Sequence, residues 1–437
     1  LNPLCWSNDG SSIASISHLS HESPLIAVAW NPVTGDSIHY YYRKDGDFDI
    51  YSMAWSPDGT RIATGRGNGD VDIWNVQTGE LLFVLGETTS QVTTMNMQLN
   101  VEWNSDGSKI AHVTNDGRVQ VWDAGTGALL RYLDPANSLT SSLVLHIAWS
   151  PIDDRLAIAD RDKTAKIFDA NSGSILHTLS HADNVQQVAW NPDGSTLVST
   201  SDDGTAKIWN TSNGLLIKTL TCGSGSSDYY SIDWNPNGST FAVIGSGYGN
   251  SYSTVIFDAS SGNELKRYYS SKGQNFSWDS QVIDFSWHHQ GMYFAISEKR
   301  KTKIYDATTY SLVSIVPGES PVWSPVDNRL VTLDSLTDTT NIARVWDVPL
   351  IPSQVIPGIQ WKKSLGGSGE DYLRSVIKSA DGSYIIAGST NSQDGDVLVK
   401  KGNSDYWVMK LSPADGSIIW QQSFGGSGND EAYSIIE

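Results

Sequence analysis

The densest group of candidate metal ligands in this sequence is an acidic triple, Asp45, Asp47 and Asp49. Carboxylate oxygens at alternate positions are the ligands of a calcium-binding loop, but such a loop also requires glycine at its sixth position and a bidentate glutamate at its twelfth. Ile50 and Ser56 stand at those positions. A solvated turn is therefore favoured over a weak Ca²⁺ site, and we predict neither a metal nor a cofactor.

Two stretches with glycine at every second position, 65–69 and 245–249, could be mistaken for phosphate-binding loops. A phosphate cradle of this kind needs a helix that begins directly after the loop. Both stretches lie instead between two short strand-like runs. We therefore predict hairpin turns.

Adjacent histidines, His288 and His289, form another pair of potential metal ligands in a turn. Side chains of neighbouring strand residues point to opposite sides, so a solvated turn is favoured over a metal pair. The sequence also contains no G-x-S-x-G, no H-E-x-x-H and no G-x-x-x-x-G-K-S/T motif. We predict that the protein is not an enzyme.

Aromatic residues outside regular positions are the candidate recognition residues. Tyrosine and tryptophan supply interface hot spots and platforms on which sugars stack. Trp278 lies in an insertion, and Tyr229 and Tyr230 lie at the start of a strand-like run. For the tyrosines, packing in the core is the competing interpretation, because alternation along a strand buries part of such a cluster.

The elements that must position these residues repeat along the chain. The stretch 185–220 reads as four short strands separated by turns, and the first turn is Asn-Pro-Asp-Gly. Four such strands cannot bury both faces alone, so neighbouring units must stack. A period of about forty residues with four strands is typical of a propeller blade.

Aromatic residues mark eight copies of this unit. A tryptophan closes the first strand of each copy: Trp6, Trp55, Trp103, Trp149, Trp190, Trp234, Trp287 and Trp323. An aromatic residue ends each third strand: Trp30, Trp74, Trp122, Phe168, Trp209, Phe257, Tyr305 and Trp346. This regularity predicts an all-β fold over residues 1–350.

The unit 185–220 resembles the WD-repeat family through Trp190, the turn 191–194 and the run 208–210. The resemblance implies a β-propeller that holds protein partners on its loops and channel. It also implies a buried hydrogen-bonded set in which His181, Asp203 and Trp209 join a serine or threonine. In this set the carboxylate would accept from the imidazole and fix its tautomer. No other repeat carries all three residues.

Eight repeats most simply form eight four-stranded antiparallel blades, and we favour that number. In the alternative, one terminus completes the blade of the other terminus, as WD-repeat rings usually close. Ser37–Arg43 would then be the outer strand of the eighth repeat in a seven-bladed ring, and residues 1–36 would be the remnant of an earlier ring.

The remainder of the chain follows a different pattern. Residues 351–359 contain two prolines and are predicted to form a linker. SLGGSGEDYLRSVIK at 364–378 recurs as SFGGSGNDEAYSIIE at 423–437. This segment, 360–437, resembles a propeller-type repeat that is common in large secreted bacterial proteins. One repeat and a fraction are not expected to close a core of their own. Because the chain begins at Leu1 and stops inside the second copy, we expect a fragment.

Charge and composition narrow the choice of partners. The net charge of −19 disfavours nucleic acids and anionic membranes. No apolar run approaches the roughly eighteen residues of a membrane helix. The two cysteines, Cys5 and Cys222, predict neither a disulfide framework nor a metal site.

These features favour a non-catalytic scaffold that binds protein partners. A secreted or cell-surface protein that binds carbohydrate or another ligand is the alternative, and a propeller enzyme is less favoured. The C-terminal repeat type predicts an extracellular or cell-surface location in a bacterium, with the cytoplasm as the alternative.

Overall fold

The computed structural model divides the chain into two compact units, Leu1–Leu350 and Ile351–Glu437. It describes residues 4–18, 25–43, 49–86, 100–114, 117–134, 143–222, 229–247, 251–270, 284–298, 301–337, 340–348, 365, 368–369, 371–379, 383–397, 403–412, 417–425, 427 and 430. These residues form strands, turns and irregular segments without any helix, which confirms the all-β prediction. Consequently, no described helix is long and apolar enough to cross a membrane.

The described strands of the first unit form eight antiparallel sheets, and strands follow each other in chain order within each sheet. The first four sheets contain β1 (Leu4–Trp6), β2 (Ile13–His18), β3 (Leu25–Trp30) and β4 (Ser37–Tyr41); β5 (Ile50–Trp55), β6 (Arg61–Arg66), β7 (Val71–Asn75) and β8 (Leu81–Leu85); β9 (Val101–Trp103), β10 (Lys109–Val113), β11 (Val119–Asp123) and β12 (Leu129–Leu133); and β13 (Val144–Trp149), β14 (Arg155–Asp160), β15 (Thr164–Asp169) and β16 (Ile175–Ser180).

The next four sheets repeat this order, and the eighth has three described strands. They contain β17 (Val185–Trp190), β18 (Thr196–Ser201), β19 (Thr205–Asn210) and β20 (Leu216–Thr221); β21 (Tyr229–Trp234), β22 (Thr240–Gly247), β23 (Ser251–Asp258) and β24 (Glu264–Ser270); β25 (Phe285–Trp287), β26 (Tyr293–Glu298), β27 (Lys301–Asp306) and β28 (Leu312–Pro317); and β29 (Glu319–Trp323), β30 (Arg329–Thr337) and β31 (Thr340–Asp347).

The core of the first unit lies between neighbouring sheets. Apolar side chains on facing sides form one cluster per pair of successive sheets. An eighth cluster joins the first sheet to the eighth through Leu4, Trp6, Ile13 and Val331. Because each blade buries its faces only against its neighbours, stacking is what makes the hairpins stable.

The alternative in which Ser37–Arg43 is the outer strand of the eighth repeat is wrong. The strand Ser37–Tyr41 pairs with β3 of its own sheet, with Ala27 opposite Tyr41. Sequence-distant contacts instead bring together the first and eighth sheets, and the indole of Trp6 donates to the carbonyl of Val322 at 3.0 Å. Eight blades remain our prediction for the ring.

The sixth sheet corrects a second expectation. The hairpin turn predicted over 245–249 is wrong at its start, because the ladder between β22 and β23 continues to Gly247 opposite Ser251. The small side chains therefore belong to lengthened strands, since Gly and Ser remain able to form every backbone hydrogen bond of a ladder.

The second unit forms a four-stranded antiparallel sheet of β32 (Asp371–Lys378), β33 (Tyr384–Thr390), β34 (Asp405–Leu411) and β35 (Ile418–Phe424). Trp407, Met409 and Leu411 are buried on one face of β34 together with Val397. These side chains form an apolar cluster within the second unit, and whether one repeat and a fraction form a stable core of their own stays a prediction. The predicted linker 351–359 lies outside the described residues.

Candidate functional site

The three residues implied by the WD-repeat resemblance meet inside the fifth sheet. Nδ1 of His181 lies 3.1 Å from Oδ2 of Asp203, and Nε2 lies 2.7 Å from Oγ of Ser199. The indole N–H of Trp209 donates to the same Ser199 hydroxyl at 2.8 Å. The strand β18 supplies the serine, its following turn the aspartate and β19 the tryptophan.

One protonation state satisfies every atom of this network. Burial lowers the pKa of His181 to about 4 and outweighs the opposing charge of Asp203, so the imidazole is neutral at neutral pH. A proton on Nδ1 is donated to the carboxylate, and Nε2 then accepts from the Ser199 hydroxyl. Ser199 is fully buried and His181 is nearly so, and Ser199 Oγ is already bonded to both rings.

Ser199 is the member of this set that sequence reasoning did not locate. The resemblance named only a serine or threonine as the partner type. A usable signal exists, because a serine or threonine also faces the third-strand tryptophan in three other sheets: Ser15 with Trp30, Thr64 with Trp74 and Thr332 with Trp346.

The candidate recognition residues are not brought together with this network. Trp278 lies outside the described residues. Tyr229 and Tyr230 begin the strand Tyr229–Trp234, where Tyr229 pairs with Gly245. Of the acidic triple, Asp45 and Asp47 also lie outside the described residues, and Asp49 accepts from the Tyr51 hydroxyl at 3.4 Å.

The histidine pair is a correction. His288 is fully buried, so the predicted solvated turn is wrong at this residue. Its Nε2 lies 3.1 Å from Oδ1 of Asn328 on the next sheet, and its ring stands edge-on to Trp323. The rings of His288 and His289 lie on one side, with centroids 4.2 Å apart, because this turn departs from strand geometry. Within the described ranges, no group of three or more His, Cys, Asp or Glu side chains could hold a metal ion.

The first-strand tryptophans connect neighbouring sheets. In six pairs of sheets the indole N–H donates to the carbonyl that precedes the tryptophan of the previous sheet, over 2.9–3.3 Å. The donors and acceptors are Trp6 and Val322, Trp103 and Ala54, Trp149 and Glu102, Trp190 and Ala148, Trp234 and Ala189, and Trp287 and Asp233. An arginine covers several of these rings, as Arg155 does Trp190 at 4.9 Å.

Two carboxyl groups lie at the same inner-strand position. Glu102 accepts from the backbone N–H of Trp149, and Asp233 accepts from that of Trp287, each at 3.2 Å. Burial raises the pKa of both groups to about 7. Their role in this geometry is to join two sheets, and no described nucleophile or metal cluster accompanies them.

A cleft of about 550 Å³ opens where the turns of the third and fourth sheets meet. Ile152 and Leu176 line it with 59% and 43% of their surfaces exposed. Asp106 and Asp169 supply carboxylates to its rim. Its volume lies in the range of ligand-binding sites, about 300–1,000 Å³, so this open cleft is one candidate surface for a partner.

Comparisons with known proteins agree with this geometry. Residues 133–169 and 173–210 match the family "WD domain, G-beta repeat", and residues 28–100 match "Anaphase-promoting complex subunit 4 WD40 domain". The crystal structure of the C-terminal WD40 domain of Sif2 superimposes with a TM-score of 0.63 at 20% identity, over 79% of this chain and 95% of that domain. No curated protein matches the chain.

Proposed function

The described sheets have the fold of a WD40 β-propeller, and from this premise we propose that the chain is a non-catalytic scaffold that binds protein partners. One observation carries the proposal: residues 133–169 and 173–210 match WD repeats, and the fourth sheet, which they include, lines an accessible cleft. WD40 propellers generally hold protein partners on such surfaces. The network of His181, Asp203 and Ser199 supports the non-catalytic part, since Ser199 is fully buried and its hydroxyl accepts from the indole of Trp209.

The second candidate is a secreted or cell-surface protein that binds carbohydrate. Its specific support is the aromatic surface of the second unit, where Trp420 on β35 and Tyr406 on β34 are exposed. Rings of this kind can stack on sugars. This second candidate implies an extracellular or cell-surface location. The cytoplasm remains the alternative location for the scaffold. The acidic net charge of −19 favours neither nucleic acid nor an anionic membrane as partner.

The test uses the full chain, immobilised and exposed to surface and cytosolic extracts of its source cells. Captured proteins are identified, purified and titrated against the free chain by calorimetry. We expect at least one saturable protein complex and no turnover of ester, peptide or glycoside panels. Saturable binding of oligosaccharides without any protein complex would favour the second candidate, and turnover that scales with protein concentration would refute the non-catalytic assignment.

A further inference from the structure

The lining of the cleft between the third and fourth sheets is held by hydrogen bonds between side chains of both sheets. Asp154 accepts from Lys109 at 3.0 Å and from Asn104 at 3.2 Å, both on the third sheet. Asn171, in the last turn of the fourth sheet, donates to the same carboxylate at 3.0 Å. The cleft therefore exists before a partner arrives, which lowers the entropic cost of binding.

The rim of the cleft carries two carboxylates without a direct ion-pair partner among the described residues. Asp106 accepts from the backbone N–H of Ser108 at 2.8 Å, and Asp169 accepts from that of Ser172 at 2.8 Å. Neither carboxylate forms an ion pair with any residue that the structure describes. Hydrogen bonds lower the pKa of Asp106, so it is charged at neutral pH. By contrast, Asp153 is already paired with Arg155 at 2.9 Å.

The cleft is also lined by two aliphatic side chains. Ile152 projects from the turn after β13, and Leu176 lies on the outer strand β16. Both side chains are exposed, although burial of a leucine or isoleucine is worth about 1.5–3 kcal/mol. A ligand that fits this lining must therefore offer both an apolar surface and a positive charge.

Resting on the scaffold function proposed above, we infer that this cleft docks a partner segment in which lysine or arginine neighbours a large aliphatic residue. The aliphatic side chain and the stem of the basic one pack on Ile152 and Leu176, and the cationic end reaches Asp106 or Asp169. The overall charge of −19 speeds the approach of such a basic segment.

Binding is measured by fluorescence polarisation with the full chain and labelled nine-residue peptides. The probe alternates lysine with leucine, and two comparison peptides carry glutamate for lysine or serine for leucine. We expect saturable binding of the lysine–leucine peptide alone. Asp106→Asn with Leu176→Ser should weaken it about tenfold, because asparagine keeps the turn contact to Ser108 while the charge and the apolar wall are lost.

The matched control is Asp58→Asn with Ile217→Ser. Asp58 accepts from Thr60 N–H at 3.0 Å in the equivalent turn of the second sheet, and Ile217 is exposed on the outer strand of the fifth. The control should leave affinity within about twofold. Equal losses in both variants, or no saturable binding, would overturn the assignment. A purified partner that the cleft variant still binds would refute the cleft and leave the scaffold function standing. If the variant Asp106→Asn with Leu176→Ser does not fold, Leu176→Ser alone is measured against the same peptides.

Discussion

At the scale of single residues, one second-strand side chain explains which aromatic residue ends each third strand. Tryptophan occurs where serine or threonine accepts its N–H, over 2.8–2.9 Å. Phenylalanine or tyrosine occurs where that position is aliphatic: Ile158 with Phe168, Val243 with Phe257 and Ile296 with Tyr305. Trp122 is the exception, because His112 replaces the acceptor and the indole N–H has no partner among the described residues.

Removing the acceptor in the fifth sheet should therefore be costly. In Ser199→Ala, the indole N–H of Trp209 and Nε2 of His181 both lose their partner in a buried site. Each unsatisfied group costs about 1–3 kcal/mol, so we expect a loss of at least about 2 kcal/mol in the free energy of unfolding. Urea unfolding followed by tryptophan fluorescence measures it. A loss below about 0.5 kcal/mol would contradict the network's structural role.

The adjacent residue provides the control for this substitution. Thr200 is fully buried, and its hydroxyl has no partner within the part of the chain that the structure describes. Thr200→Val keeps the shape and removes an unpaired polar atom. The free energy of unfolding should therefore stay the same or rise by about 1 kcal/mol, whereas Ser199→Ala should lower it.

At the scale of elements, the first-strand indoles hold one blade to the next, and their contribution can be isolated. Trp190 donates to the carbonyl of Ala148 at 2.9 Å, whereas the N–H of Trp323 has no partner among the described residues. Both rings are buried at the same position of their strands.

Trp190→Phe should therefore destabilise more than Trp323→Phe. Both substitutions remove similar volume, but only the first removes a hydrogen bond, worth about 0.5–1.5 kcal/mol net. Differential scanning calorimetry of the two variants gives the difference. Equal melting temperatures would mean that these indoles act by packing alone.

Repetition explains why the sheets were predictable from the sequence and these contacts were not. Each strand and turn is encoded within one unit, so alternation, D-G turns and the recurring tryptophans were sufficient. The hydrogen bond from Trp6 to Val322 joins opposite ends of the first unit, so no local sequence pattern predicts it. His288 was misplaced for a related reason: its partner Asn328 lies on the next sheet. Ser199 could be predicted only as a residue type.

At the scale of the whole molecule, two sets of buried groups change the stability in opposite directions as the pH changes. Burial lowers the pKa of His112, His146, His181 and His288 to about 4. Their contribution to stability is present above the unfolded pKa of about 6.5 and is lost as the pH falls towards 4. Burial raises the pKa of Glu102 and Asp233 to about 7 and that of Asp72 to about 6. Their contribution is present below about 4 and is lost as the pH rises to 7.

Replacing the inner-strand carboxyl groups by amides should therefore raise the stability at neutral and alkaline pH. Glu102→Gln with Asp233→Asn keeps an oxygen that accepts from Trp149 and Trp287, as Gln187 already does for the backbone N–H of Ile232 at 3.0 Å. At pH 8 each substitution should add on the order of 3 kcal/mol to the free energy of unfolding, and at pH 4 almost nothing.

With the carboxyl groups neutral, the buried histidines dominate. Stability of the double variant should rise continuously from pH 4 to 6.5, where the parent changes less, and urea titrations at half-unit intervals measure both curves. Asp58→Asn is the control, since its exposed carboxylate is neutralised without removing a buried charge. If the stability curves of the double variant and the parent run parallel from pH 4 to 8, the pKa values of Glu102 and Asp233 are not raised in the folded protein. Water would then reach these carboxyl groups between the sheets.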